Sequence, residues 1–137
     1  MLEGGAIMVD EIVRVAIVGG GRTGAPVLEA LLSVPYIHVV GVADRDSDSP
    51  GAVMAREHGI FYTEHADVLG AKADDIDLIV EVSGDPSVKP ALKDAFRSQG
   101  NNDTIIVHDL VARLLMSLAN RTDRLVPSLH PHDRGVG

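Results

Sequence analysis

The run VAIVGGGRTGAPVLEALL, Val15 to Leu32, constrains the fold more than any other stretch of this chain. It opens with four apolar residues in succession, breaks into Gly19, Gly20 and Gly21, and resumes with Val27, Leu28, Leu31 and Leu32. An unbroken apolar run reads as a strand buried on both faces, whereas spacings of three and four read as one side of a helix. A strand that passes through glycines into a helix is the first half of a β-α-β unit, whose right-handed crossover leads to a parallel neighbouring strand.

The rest of the chain repeats the alternation. IHVVGVAD (Ile37 to Asp44) predicts a second strand, and a helix is expected from Pro50 to His58, with Ser49 as cap and Pro50 in the first turn. IFYT is a short extended piece, followed by a helical turn near Ala66 to Leu69. IDLIVEVSG (Ile76 to Gly84) is a strand, Asp85-Pro86 starts a helix running to about Gln99 whose start Pro90 can delay by a turn, TIIVHD is a further strand, and Leu110 to Asn120 is a last helix. The fold class expected is α/β, a Rossmann-like doubly wound parallel sheet in three α/β/α layers. At 137 residues there is room for one such domain, placed at 12–120. Residues 1–11 lack periodicity and are expected to be disordered, and 121–137 form a polar, proline-bearing C-terminal tail. With 3% aromatic and 45% hydrophobic residues, the core must come from Val, Ile, Leu and Ala.

Gly19, Gly21 and Gly24 satisfy G-x-G-x-x-G between a strand and a helix, the setting in which that spacing binds a dinucleotide. Gly19 permits the tight turn, Gly21 lets a pyrophosphate approach the backbone, and Gly24 lets the helix lie close to the sheet. The helix N-terminus then presents free N–H groups and its dipole to the phosphates. Pro26 removes one N–H near the motif and is expected to tighten or distort the first turn. An acid is required about 20 residues on, at the end of the second strand, to accept hydrogen bonds from the adenosine ribose. Asp44 stands there. Its charge favours NAD over NADP by repelling a 2′-phosphate, and Arg45 beside it offsets part of that repulsion.

A formal charge of −8 disfavours nucleic acid and anionic membranes as partners. With no cysteine, thiolate metal sites, disulfides and cysteine nucleophiles are excluded. No apolar run approaches a bilayer span and no signal-peptide pattern opens the chain, so a cytoplasmic protein is expected.

VRVAIVGGGRTG, VVGVADRDSDSPGAVMAREHGI and DIDLIVEVSGDPSVKPAL together resemble the N-terminal NAD(P)-binding domain of Gfo/Idh/MocA-type oxidoreductases and their homoserine, aspartate and semialdehyde dehydrogenase relatives. The likeness covers about residues 12 to 108. It implies that Gly19, Gly21, Arg22 and Thr23 surround the pyrophosphate, that Asp44 takes the adenosine ribose, and that Ser83 and Gly84 lie near the central or nicotinamide ribose. Gfo/Idh/MocA enzymes add a second domain with a catalytic lysine or histidine. Here VHDLVARLLMSL follows the fifth strand in place of an E-K-P segment. No catalytic residue is identified, and two other readings stay open. One is a non-catalytic nucleotide- or redox-sensing module attached to a signalling protein. The other is a site for S-adenosylmethionine or coenzyme A.

His108 and Asp109 end a strand but point to opposite faces, and Asp109 suits a helix cap better than an acid-base pair. His130 and His132 lack a third metal ligand nearby, and Asp74, Asp75 and Asp77 read as a solvated loop. In the last helix Asp109, Arg113 and Ser117 make a narrow polar stripe, while Leu110, Leu114, Leu118 and their neighbours cover the remainder. So apolar a helix is expected to be buried on more than one side, with a homodimer as the covering partner.

Overall fold

The structure, a computed structural model, describes residues 11–128. The expectations for residues 1–10, His130 and His132 lie outside that range. Five strands, β1 (Val13–Val18), β2 (Ile37–Ala43), β3 (Phe61–Thr63), β4 (Leu78–Glu81) and β5 (Ile105–His108), form one sheet in the order β3-β2-β1-β4-β5. Each pairing is parallel. The helices are α1 (Gly24–Leu32), α2 (Pro50–Glu57), α3 (Ala66–Ala71), α4 (Val88–Gln99) and α5 (Asp109–Ala119).

The alternation of side chains along β1 divides the core into two layers. Val15 and Ile17 pack with Val27 and Leu28 of α1, Ala55 of α2 and Ala112 of α5. Ala16 and Val18 pack on the opposite face with Leu69 of α3 and Leu92 and Phe96 of α4. Continuous apolar strands are thus required, as the sequence shows. The chain winds outward in two directions from the β1–β4 pair, and this places a crevice at the carboxyl ends of those strands.

Ser49 caps α2 as expected, its Oγ accepting from the Ala52 N–H at 3.2 Å. Pro26 distorts nothing: it is the third residue of α1, where no intrahelical N–H is needed, and Val27 still bonds the Thr23 carbonyl at 3.2 Å. The α4 helix begins at Val88, about a turn after Asp85-Pro86, in line with the delay expected from Pro90; Asp85 and Ser87 close a hydrogen-bonded turn of their own before it. Of the three acids before β4, Asp74 and Asp75 are exposed. Asp77 instead grips Arg14 through that residue's backbone N–H at 2.8 Å and its guanidinium at 3.0 Å. These bonds, first of all the guanidinium's, hold the Asp77 carboxyl below the usual carboxylate range.

α5 inverts the expected arrangement. Asp109, Arg113 and Ser117 are its buried face, whereas Leu114, Leu115 and Leu118 are 46%, 58% and 65% exposed. The polar stripe is held by bonds among its members and to the chain that follows, although Asp109 Oδ1 is buried without a hydrogen-bond partner. Arg113 donates to Asp109 at 2.8 Å and to the Val126 carbonyl at 3.0 Å, and Ser117 Oγ accepts from the Val126 N–H at 3.0 Å. Ser128 Oγ donates to Asp109 at 3.2 Å. Asp109 is therefore not the helix cap. That position belongs to His108, whose Nδ1 accepts from the Leu110 N–H at 3.2 Å.

Candidate functional site

The turn between β1 and α1 is shaped by three glycines with three different constraints. Gly19 has φ of +103°, and a Cβ there would lie 2.8 Å from the Ser83 backbone. Gly24 is tighter still, since a Cβ would fall 1.6 Å from the Gly19 carbonyl oxygen. Gly21 differs from both: a Cβ on it meets no atom within 4 Å. Two of the glycines are demanded by the fold, and the third faces open space. Gly24→Ala must force the turn apart, and we expect a loss of about 3 kcal/mol or more in unfolding free energy, read from the urea midpoint.

Gly20 completes the loop in a way the motif does not announce. Its N–H donates to Asp44 Oδ2 at 2.6 Å, and its carbonyl accepts from the Gly51 N–H at 2.7 Å. Gly51 is required at that contact, because a Cβ there would come within 2.6 Å of Gly20 Cα. The start of α2 is thereby laid directly on the glycine loop. Asp44 Oδ1 also accepts from the Asp46 N–H at 2.9 Å, so the carboxylate is aimed and still has lone pairs to offer a ligand. Among the described residues, the N–H groups of Arg22, Thr23 and Gly24 donate to no acceptor. This is the donor set that an anion at a helix N-terminus uses.

Two adjoining clefts open over these residues. One, of about 420 Å³, is lined by Gly19, Gly21, Arg22, Thr23, Asp44, Val82 and Ser83. The other, of about 410 Å³, shares Gly19, Asp44 and Ser83 and adds Arg45, His65, Asp67, Asp85, Ser87 and Ala91 among others. The structure thus gathers Gly19, Gly21, Arg22, Thr23, Asp44, Arg45 and Ser83 at one crevice. Gly24 lies buried beneath it, and Gly84, with φ of +76°, turns the chain after β4 without lining either cleft. His65, Asp67 and Ser87 escaped the sequence reading, which placed Asp85 only in the turn that starts a helix. Asp85 alone carried a signal, as the acid just past a strand end.

Ser83 is held from below. Glu81, at the end of β4 and fully buried, accepts from the Ser83 N–H at 2.8 Å and from its hydroxyl at 2.5 Å through Oε1. Glu81 Oε2 faces the buried Lys89 ammonium at 3.2 Å, an ionic contact rather than an aligned hydrogen bond. His108 caps α5, and Asp109 bonds Arg113 within the α5 stripe. No group of three or more His, Asp or Glu among the described residues is placed to hold a metal ion.

No protein-family model and no curated protein matches the chain. Its backbone is similar to apo saccharopine dehydrogenase (L-Glu forming) from Saccharomyces cerevisiae, with a TM-score of 0.54 and 20% identity over 70% of this chain. The fold is Rossmann-like. GenD2 from gentamicin A biosynthesis, solved with NAD, aligns at a TM-score of 0.48, with 21% identity over 90% of this chain. The biliverdin reductase of Synechocystis sp. PCC 6803, solved with biliverdin and NADP+, aligns at 0.46, with 19% identity over 81% of this chain. The chain spans 21% of the length of the saccharopine dehydrogenase and 42% of each of the other two. No helix among the described residues is long and apolar enough to cross a membrane.

Proposed function

We propose that this domain binds a nicotinamide dinucleotide, as the cofactor-binding part of an oxidoreductase. The N–H groups of Arg22, Thr23 and Gly24 receive the pyrophosphate, Asp44 accepts from the adenosine ribose, and Ser83 meets the central part of the ligand. Bound there, the dinucleotide supplies hydride chemistry; the chain's own residues bind and orient it. The observation that carries this reading is Gly21, the motif glycine whose missing side chain leaves space that the fold itself has no use for. Asp44 favours NAD, since a 2′-phosphate would approach its carboxylate.

Fluorescence titration with NADH, with NAD, S-adenosylmethionine and coenzyme A as competitors, tests the assignment. Saturable NADH binding, displaced by NAD and not by S-adenosylmethionine or coenzyme A, is the expected result. Preferential binding of either of those competitors would replace the dinucleotide reading.

The exposed face of α5 supports a second element of the proposal, self-association. Val111, Leu114, Leu115 and Leu118 stand 43–65% exposed on one helix with no charge among them, which is the composition of an interface core rather than of solvated surface. Light scattering at micromolar concentration is expected to give a dimer mass, halved by Leu118→Glu. A monomer mass for the unaltered chain would end this part of the proposal.

A further inference from the structure

An arginine directly after the ribose-binding acid is the group that would receive the 2′-phosphate of NADP. In this structure Arg45 is already engaged. Its Nη2 donates to Asp85 Oδ2, forming an ion pair between the wall of the 410 Å³ cleft that follows β2 and the wall that follows β4. The two partners differ in freedom. The Arg45 side chain is 80% exposed, whereas that of Asp85 is 21% exposed and anchored in its own turn. Asp85 Oδ1 accepts from the Ser87 N–H at 2.9 Å and the Ser87 hydroxyl at 2.7 Å, and the Asp85 N–H donates to Ser83 Oγ at 3.1 Å.

We propose that Asp85 is a specificity-determining residue, which holds Arg45 away from the adenosine ribose and so selects NAD over NADP. The inference rests on the dinucleotide reading and deepens it. A 2′-phosphate entering the cleft must compete with Asp85 for the guanidinium while lying near two carboxylates, Asp44 and Asp85. A ribose with a free 2′-hydroxyl makes neither demand. Hydrogen bonds from Ser87, ahead of the influence of Arg45, hold the Asp85 carboxyl below the usual carboxylate range, so it is fully charged at neutral pH.

The test compares dissociation constants for NADH and NADPH in the unaltered protein, Asp85→Asn, Arg45→Met and the double variant, with thermal melts confirming that each is folded. Asp85→Asn frees Arg45 and is expected to improve NADPH binding relative to NADH by about fivefold, the span that an exposed ion pair carries. The double variant should show no such gain, and Asp85→Glu should keep the original preference. An unchanged NADPH-to-NADH ratio in Asp85→Asn, or a gain that persists without Arg45, overturns the role of Asp85 while leaving dinucleotide binding intact. Absence of NADH binding by the unaltered protein overturns the underlying reading, and this inference with it.

Discussion

Gly21→Ala is expected to raise the dissociation constant for NADH about a hundredfold, a loss of about 2.7 kcal/mol, while moving the melting temperature of the free protein by no more than about 2 °C. The two halves of this prediction come from one fact. A methyl group at Gly21 touches nothing in the folded chain, so the fold has no reason to resist it, yet it occupies the surface over which a pyrophosphate must approach the N–H groups of Arg22 to Gly24. Titration and a thermal melt on the same sample separate the effects. An alanine variant that binds NADH as tightly as the original would remove the pyrophosphate from this loop. One that unfolds would show that Gly21 serves the turn and says nothing of a ligand.

The second large effect is on stability. Lys89→Met leaves the fully buried Glu81 carboxylate without the cation 3.2 Å away, and breaking a buried pair on one side costs about 3–5 kcal/mol. Against a total of about 5–15 kcal/mol for a domain, that is a large share. The melting temperature should fall by roughly 10 °C or more at neutral pH. Replacing both partners, Glu81→Gln with Lys89→Met, should recover most of the loss, because an amide retains an acceptor for Ser83 without a stranded charge. Recovery is the informative measurement: if the double variant is no more stable than Lys89→Met alone, packing of the lysine stem rather than charge pairing is what holds α4 to β4.

The sheet was legible because two periods cannot be confused over such lengths. Val15–Val18 of β1 and Leu78–Val80 of β4 are unbroken apolar runs, α1 repeats at three and four, and glycine or an acid marks the strand ends. The tight glycine turn between β1 and α1 was legible for the same local reasons. Features created by residues far apart in sequence were not. Gly51 reads as a weak spot in a helix, and only the landing of α2 on Gly20 explains it. The Arg45–Asp85 pair joins residues 40 positions apart, and no spacing rule announces it. α5 failed for a subtler reason. Asp109, Arg113 and Ser117 at intervals of four look like a solvated stripe, and the same interval lets them satisfy one another beneath residues 122–128. Polarity reports the need for partners. It does not report whether water or protein supplies them.

The contact between Gly19 and Ser83 has a mechanical consequence. With the two backbones so close that a single added carbon would stand 2.8 Å from its neighbour, the turns after β1 and β4 have no slack between them. Asp44 ties the turn after β2 to the same point through Gly20. The floor of the crevice is therefore closed by backbone packed directly on backbone, with no side chain between the two turns to repack.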